Sequence, residues 1–183
     1  MTRCRIVIAE QQIPLIVDRL AEQISTDYEG QDITLVGIMK GSIIFIADLM
    51  RALERKSRIA CIRLDLIGYG SYGDKQQPGD LRLLFDTSHP RAGKHVIIVE
   101  DVADTLTTVR TARAHLYTNK TEEKRPKSIA ICAFISKPDK SQHQDVELKY
   151  VGIELREAGF LIGYGMYNQG EKRGLPFVAR LID

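Results

Sequence analysis

The chain has 183 residues, of which 44% are hydrophobic and 27% charged, and its formal net charge is +2. These values suit one domain with a sizeable core, and they imply no large basic surface, so a nucleic-acid partner is allowed but not demanded. No apolar run nears the roughly 20 residues that span a bilayer, and MTRCRIVIAEQQ turns polar too soon for a signal peptide, so the expected setting is cytoplasmic with no membrane contact.

Along the chain, Ile13, Ile16, Leu20 and Ile24 recur at helical spacing, with Gly30 beyond the end of that helix. ITLVGIM (33–39) is a short apolar run, as expected of a strand buried on both faces. SIIFIADLMRALER (42–55) predicts a helix and IACIRLDL (59–66) a strand. The stretch 67–80 reads as a long, mobile, glycine-rich loop able to close over a site. LRLLF (81–85) and HVIIV (95–99) are strands, and a helix follows from Thr107 to about Tyr117. SIAICAF (128–134) and YVGIEL (150–155) are further strands. This alternation predicts an α/β fold, a mainly parallel twisted sheet flanked by helices. Ligands of such sheets bind beyond the carboxyl ends of the strands, near a switch in strand order. Four segments share that rim: MKGS (39–42), the loop 67–80, EDVADTLTT (100–108) and ISKPD (135–139). Cys4, Cys61 and Cys132 sit in apolar, strand-like stretches and read as small buried packing residues. The four histidines, at 89, 95, 115 and 143, show no metal-ligand spacing and read as incidental.

Two stretches invite a ligand. Gly68-Tyr69-Gly70-Ser71-Tyr72-Gly73 satisfies G-x-G-x-x-G, but Pro78 and Gly79 follow where a dinucleotide site needs a helix, so that reading is discarded. HVIIVEDVADTLTTVR is more informative. A loop that opens a helix presents free backbone N–H groups and the positive end of its dipole, which hold phosphate, and threonine hydroxyls add donors. Glu100 and Asp101 would repel phosphate but suit sugar hydroxyls or a phosphate-bound Mg²⁺. A phosphorylated sugar with a free diol meets both demands. Spacing alone supports equally well a plain helix cap at Asp104 or Thr105 with solvated acids.

VIIVEDVADTLTT also resembles the phosphoribosyl-pyrophosphate motif of type I phosphoribosyltransferases. LVGIMKGSIIFIADL (35–49) is similar to that family's pyrophosphate loop and following helix, and GSYG (70–73) to its flexible loop. SIAICAFISKP (128–138) is similar to its base-recognising strand, and VGIELREAGFLIGYGMYNQGEKRGLPF (151–177) to its C-terminal hood. Together these mark the 6-oxopurine, hypoxanthine-guanine branch, over nearly the whole chain. The resemblance implies one phosphoribosyltransferase domain over 1–183, with a core at about 6–150 and a hood at about 151–183 that includes the N-terminal segment. It implies transfer of the ribosyl group of 5-phosphoribosyl 1-pyrophosphate to hypoxanthine or guanine, giving IMP or GMP in purine salvage, with Mg²⁺ as cofactor. A homodimer or homotetramer is implied too.

Residue by residue, the resemblance gives Glu100 and Asp101 the ribose hydroxyls and Mg²⁺, and Asp104 the catalytic place beside purine N7. Thr105, Leu106, Thr107 and Thr108 would cradle the 5′-phosphate through hydroxyls and amides. Met39, Lys40 and Gly41 would bind pyrophosphate through a non-proline cis peptide, and Ser71 and Tyr72 would belong to the lid. Lys137 would donate to the 6-oxo group, Phe160 would stack on the base, Leu161 would read its edge through the backbone, and Arg173 would grip pyrophosphate. Taken singly, Lys40, Lys137 and Arg173 fit solvated surface charges, and Phe160 fits a core residue.

Two positions depart from the family pattern. Leu106 stands where the phosphate loop carries glycine; its amide is still offered to phosphate if its φ is negative, but the change opens the loop to reshaping. Tyr167 stands where the hood carries an aspartate for a second Mg²⁺, and a phenol does not replace a carboxylate as ligand. These departures motivate a second hypothesis, a catalytically weakened nucleotide-sensing or RNA-binding regulator. An enzyme acting on another base is the third.

Overall fold

The structure is a computed structural model, and it describes residues 3–71, 81–88, 92–118, 125–137, 146–156, 159–166 and 171–182. Its elements are β1 (Arg3–Ile8), α1 (Ile13–Asp27), β2 (Asp32–Met39), α2 (Ile43–Lys56), β3 (Cys61–Ser71), β4 (Leu81–Phe85), β5 (His95–Ala103), α3 (Thr107–Thr118), β6 (Ser128–Ser136), β7 (Tyr150–Glu154), β8 (Leu161–Ile162) and β9 (Val178–Ile182). Six strands form one sheet in the order β4-β3-β2-β5-β6-β7, and a smaller sheet has the order β1-β9-β8.

All pairings inside the large sheet are parallel except β3 with β4, which is antiparallel. The chain leaves β2 toward β3 on one side and later inserts β5 on the other. The order therefore switches between β2 and β5, and a crevice opens beyond their carboxyl ends. β2 shows why it is central. Ile33 and Leu35 pack into the core with α1 and α2, while Val36 and Ile38 pack on the other face with α3. On α1, Ile13, Val17, Leu20, Ala21 and Ile24 form one buried stripe, the helical spacing evident in the sequence.

Three expectations need correction. Residues 67–71 are strand, not loop: β3 runs on because Ile67 and Gly68 pair with Ile38 and Met39, while Tyr69 to Ser71 pair with β4. The rest of that predicted loop, with Tyr72, lies outside the described residues, as do His89, His143 and Tyr167. Cys132 is buried as expected, but Cys4 is exposed because β1 is an edge strand, and Cys61 is only half-buried at the start of β3. Finally, the periodicity in chain order left out β1, β8 and β9. β8 is two residues long, and β1 alternates poorly, with five of its six residues at least partly exposed.

Candidate active site

The crevice at the strand switch is a cavity of about 1000 Å³. Its floor comes from the ends of β2 and β5, one wall from β3 and β4, and its roof from the segment around β8. Lys40, Gly41, Glu100, Asp101, Asp104, Thr108, Lys137, Phe160, Leu161 and Arg173 all line it. Thr105, Leu106 and Thr107 do not, although they form the turn between the acids and α3. The sequence reading named Gly68 and Tyr69 only within a rim loop and overlooked Leu81, Leu84 and Phe85 of the wall. β4 displays apolar side chains at a sheet edge, a signal no motif flagged. Phe85 lies directly over Gly68, where an added Cβ would stand 2.2 Å from the ring.

β2 ends in a cis peptide between Met39 and Lys40, as the resemblance implied. Gly41 follows, and a side chain there would meet Oδ2 of Asp101 at 2.1 Å, so the carboxylate rests on the glycine backbone. β5 carries its ladder through Glu100 and on to Ala103, which draws the acids into the protein. Glu100 is 9% exposed and its Oε2 has no hydrogen-bond partner among the described residues. Burial, and then the charge of Asp101, push its carboxyl well above the usual carboxylate range. Burial raises Asp101 too, opposed by the backbone amides of 101 and 102 and by Arg173.

After Asp104 the chain turns sharply. Leu106 adopts φ 56°, in the left-handed region, and its side chain is 3% exposed among Val109, Ala112 and the α3-facing residues of β5. The condition of a negative φ is thus not met. The turn is nonetheless made, with the leucine directed into the core instead of the cavity. Its carbonyl accepts from the Arg110 amide at 2.8 Å, closing the first turn of α3, and the Thr105 and Thr107 hydroxyls lie 3.2 Å apart. Lys137, just past β6, is fixed by its own amide on Ala103 O at 3.0 Å. Its Nζ donates to Gly159 O at 2.9 Å and lies 3.5 Å from Oδ2 of Asp104. Phe160, a core residue by composition alone, is 60% exposed over the cavity. Arg173 donates through Nη1 to Gly165 O.

The described histidines lie away from this cavity. His95 bonds Ser128 and Gln31 at the opposite end of β5, and His115 faces Asp86. No group of three or more His, Cys, Asp or Glu gathers among the described residues. Glu100 and Asp101 do fit a divalent cation that takes its other ligands from substrate and water: one buried and one half-buried carboxyl, one oxygen without a partner among the described residues, and a hard oxygen donor set.

A domain model described as the phosphoribosyl transferase domain matches residues 7–169, nearly the whole chain. This chain belongs to the phosphoribosyltransferase family. The hypoxanthine-guanine phosphoribosyltransferase of Mycobacterium tuberculosis is 31% identical over 96% of this chain and 85% of its own length. A crystal structure of a hypoxanthine-guanine phosphoribosyltransferase from Bacillus anthracis matches at TM-score 0.84 and 32% identity, over 100% of both chains. The hypoxanthine phosphoribosyltransferase of Trypanosoma cruzi, in complex with the product IMP, matches at TM-score 0.84 and 29% identity, over 99% of this chain and 95% of that one. The phosphoribosyltransferase fold thus accounts for both the strand order and the place of the cavity.

Proposed function

We propose that this phosphoribosyltransferase joins hypoxanthine or guanine to 5-phosphoribosyl 1-pyrophosphate, giving IMP or GMP and pyrophosphate. One observation carries the reading. Asp104 and Lys137 come from neighbouring strands and meet at 3.5 Å in a cavity whose floor also holds Glu100 and Asp101. An acid beside an ammonium suits a purine presenting N7 next to a 6-oxo group. Relatives named for that reaction support it, one of them bound to IMP.

On this reading the purine lies against Phe160, with Lys137 donating to its 6-oxo group and the backbone at Leu161 reading its edge. N9 bonds to C1′ as the bond from C1′ to the pyrophosphate oxygen breaks, and the proton on N7 passes to Asp104. Positive charge builds on the ribose ring, and the acids at the end of β5 face it. The turn 104–108 receives the 5′-phosphate at the amino end of α3, while Lys40 and Arg173 hold the departing pyrophosphate. Glu100 and Asp101 would hold Mg²⁺, which would supply charge neutralisation for the phosphates. Leu81, Leu84 and Phe85 give this end of the cavity an apolar wall. No covalent nucleophile is required.

The whole chain is read as a single phosphoribosyltransferase domain, its hood completed by β1. Assembly into a homodimer or homotetramer belongs to the same proposal, supported by exposed Ile43, Leu64 and Leu66. So does a cytoplasmic setting; no described helix is long and apolar enough to cross a membrane. Leu106, which with Tyr167 motivates a non-catalytic regulator, keeps its side chain out of the cavity and so does not favour that alternative; Tyr167 lies outside the described residues. The decisive experiment measures pyrophosphate release from the ribosyl donor across hypoxanthine, guanine, xanthine and adenine over a Mg²⁺ titration. Turnover with the 6-oxopurines is expected. No turnover at any Mg²⁺ concentration overturns the reading, and turnover with adenine alone replaces it by another base.

A further inference from the structure

We infer that Gly165 is a positioning residue for the leaving-group end of the site: it is where a hood turn rests, backbone on backbone, against the Gly41 loop and holds Arg173 in place. The inference rests on the reading of that end of the cavity as a pyrophosphate site. Gly165 has φ 98°, in the left-handed region, and a side chain there would stand 2.1 Å from the carbonyl oxygen of Gly41. A backbone oxygen cannot swing aside as a flexible side chain can. Gly41 in turn carries the Asp101 carboxylate on its own open face. Three segments distant in sequence are therefore stacked, the Gly165 turn backbone to backbone on Gly41 and Gly41 on the Asp101 carboxylate.

Gly165 also grips Arg173 twice. Its amide donates to Arg173 O at 2.9 Å, and its carbonyl accepts from Arg173 Nη1. The preceding residue bolts this turn to the core. The Tyr164 hydroxyl donates to Asp48 Oδ2 at 2.8 Å on α2, and its ring lies 4.9 Å from that of Phe134. With the turn fixed from behind, a methyl group at Gly165 has to part the hood from the Gly41 loop. The guanidinium then moves with the carbonyl that holds it. Lys137 instead directs its Nζ to Gly159 O and Asp104, and is not part of this stack.

The test is calorimetric binding of inorganic pyrophosphate, with Mg²⁺, to the full chain as wild type, Gly165→Ala, Arg173→Ala and the double variant, with purine KM measured alongside. Gly165→Ala is expected to weaken pyrophosphate about tenfold or more, the size of one charge-assisted hydrogen bond, while purine KM changes less than about twofold. In the double variant the two losses are expected not to add, because Gly165 acts through Arg173. Additive losses, unchanged pyrophosphate affinity, or an equal loss for the purine overturns the inference, as does a wild type that binds no pyrophosphate. If Gly165→Ala does not fold, Tyr164→Phe carries the test: it keeps the ring and removes the hydroxyl that fixes this turn to Asp48. Wild-type pyrophosphate affinity in that variant overturns the inference, and a loss of pyrophosphate affinity with unchanged purine KM supports it. Absence of turnover together with intact, Gly165-dependent pyrophosphate binding would sink the functional reading alone.

Discussion

Replacing Leu106 by glycine restores the family's phosphate-loop residue and sets two effects against each other. The leucine is 3% exposed, so its removal forfeits nearly a full side chain of burial and leaves a cavity, together about 3–4 kcal/mol. Glycine also loses more freedom on folding, costing roughly 0.5–1 kcal/mol. Against this, φ 56° is strained for leucine and open to glycine, a gain of about 1–2 kcal/mol. The net expectation is a loss of about 2–3 kcal/mol, which for a domain of this size lowers the thermal midpoint by roughly 5–10 °C. Leu106→Ala is expected to be less stable still, since it gives up the burial and keeps the strain. The assay is calorimetric unfolding of the three proteins at one pH, giving the order Leu, Gly, Ala. A glycine variant that melts at or above the wild type refutes the burial argument, and an alanine variant more stable than glycine refutes the backbone conformation.

Asp104→Asn is expected to lower kcat about a hundredfold or more, with a far smaller change in donor KM, because it removes the acceptor for the N7 proton; steady-state kinetics with varied donor decides, and an effect confined to KM contradicts the role. Lys137→Met is expected to raise purine KM at least about tenfold and to leave pyrophosphate binding intact, since Nζ faces Asp104 and Gly159 in the base region. His95 is held below its ordinary value of 6.5, first by burial and then by Lys127 and Lys149. A lowered histidine is neutral in the fold where the unfolded chain takes up a proton, so its contribution is complete above pH 6.5 and is lost as pH falls toward the folded value. Thermal midpoints from pH 8 to 5 are expected to fall less steeply through that window in His95→Gln; an identical slope in both proteins speaks against the assignment.

Much of the fold was legible because its central pieces are governed by local pattern. The buried run at 33–39 and the stripe from Ile13 to Ile24 each have one way to hide their apolar atoms, and the structure follows both. The boundary at residue 67 was illegible for the opposite reason. Glycines at 68 and 70 signal a turn by propensity, yet here Gly68 leaves room for the Phe85 ring in the strand beside it, a fact of tertiary packing. The alternation of strands and helices already put the segments of Lys40, Glu100, Asp104 and Lys137 on one rim, but only the resemblance added Arg173, which comes from the hood. Leu106 shows the limit most sharply. Its sign of φ depends on whether the side chain finds a place in the core beneath α3, and nothing adjacent in sequence states that it does.

Ile8, Leu161, Tyr164, Met166 and Val178 of the smaller sheet share one apolar cluster with α1 and α2. The roof over the base thus has no separate interior to keep when the rest comes apart. It is bound to melt with the main body in a single cooperative event, and it cannot swing as an independent flap. Breathing of the crevice is left to its opposite flank, the ribbon of β3 and β4 at the sheet's free margin, where Leu84 and Phe85 already face solvent.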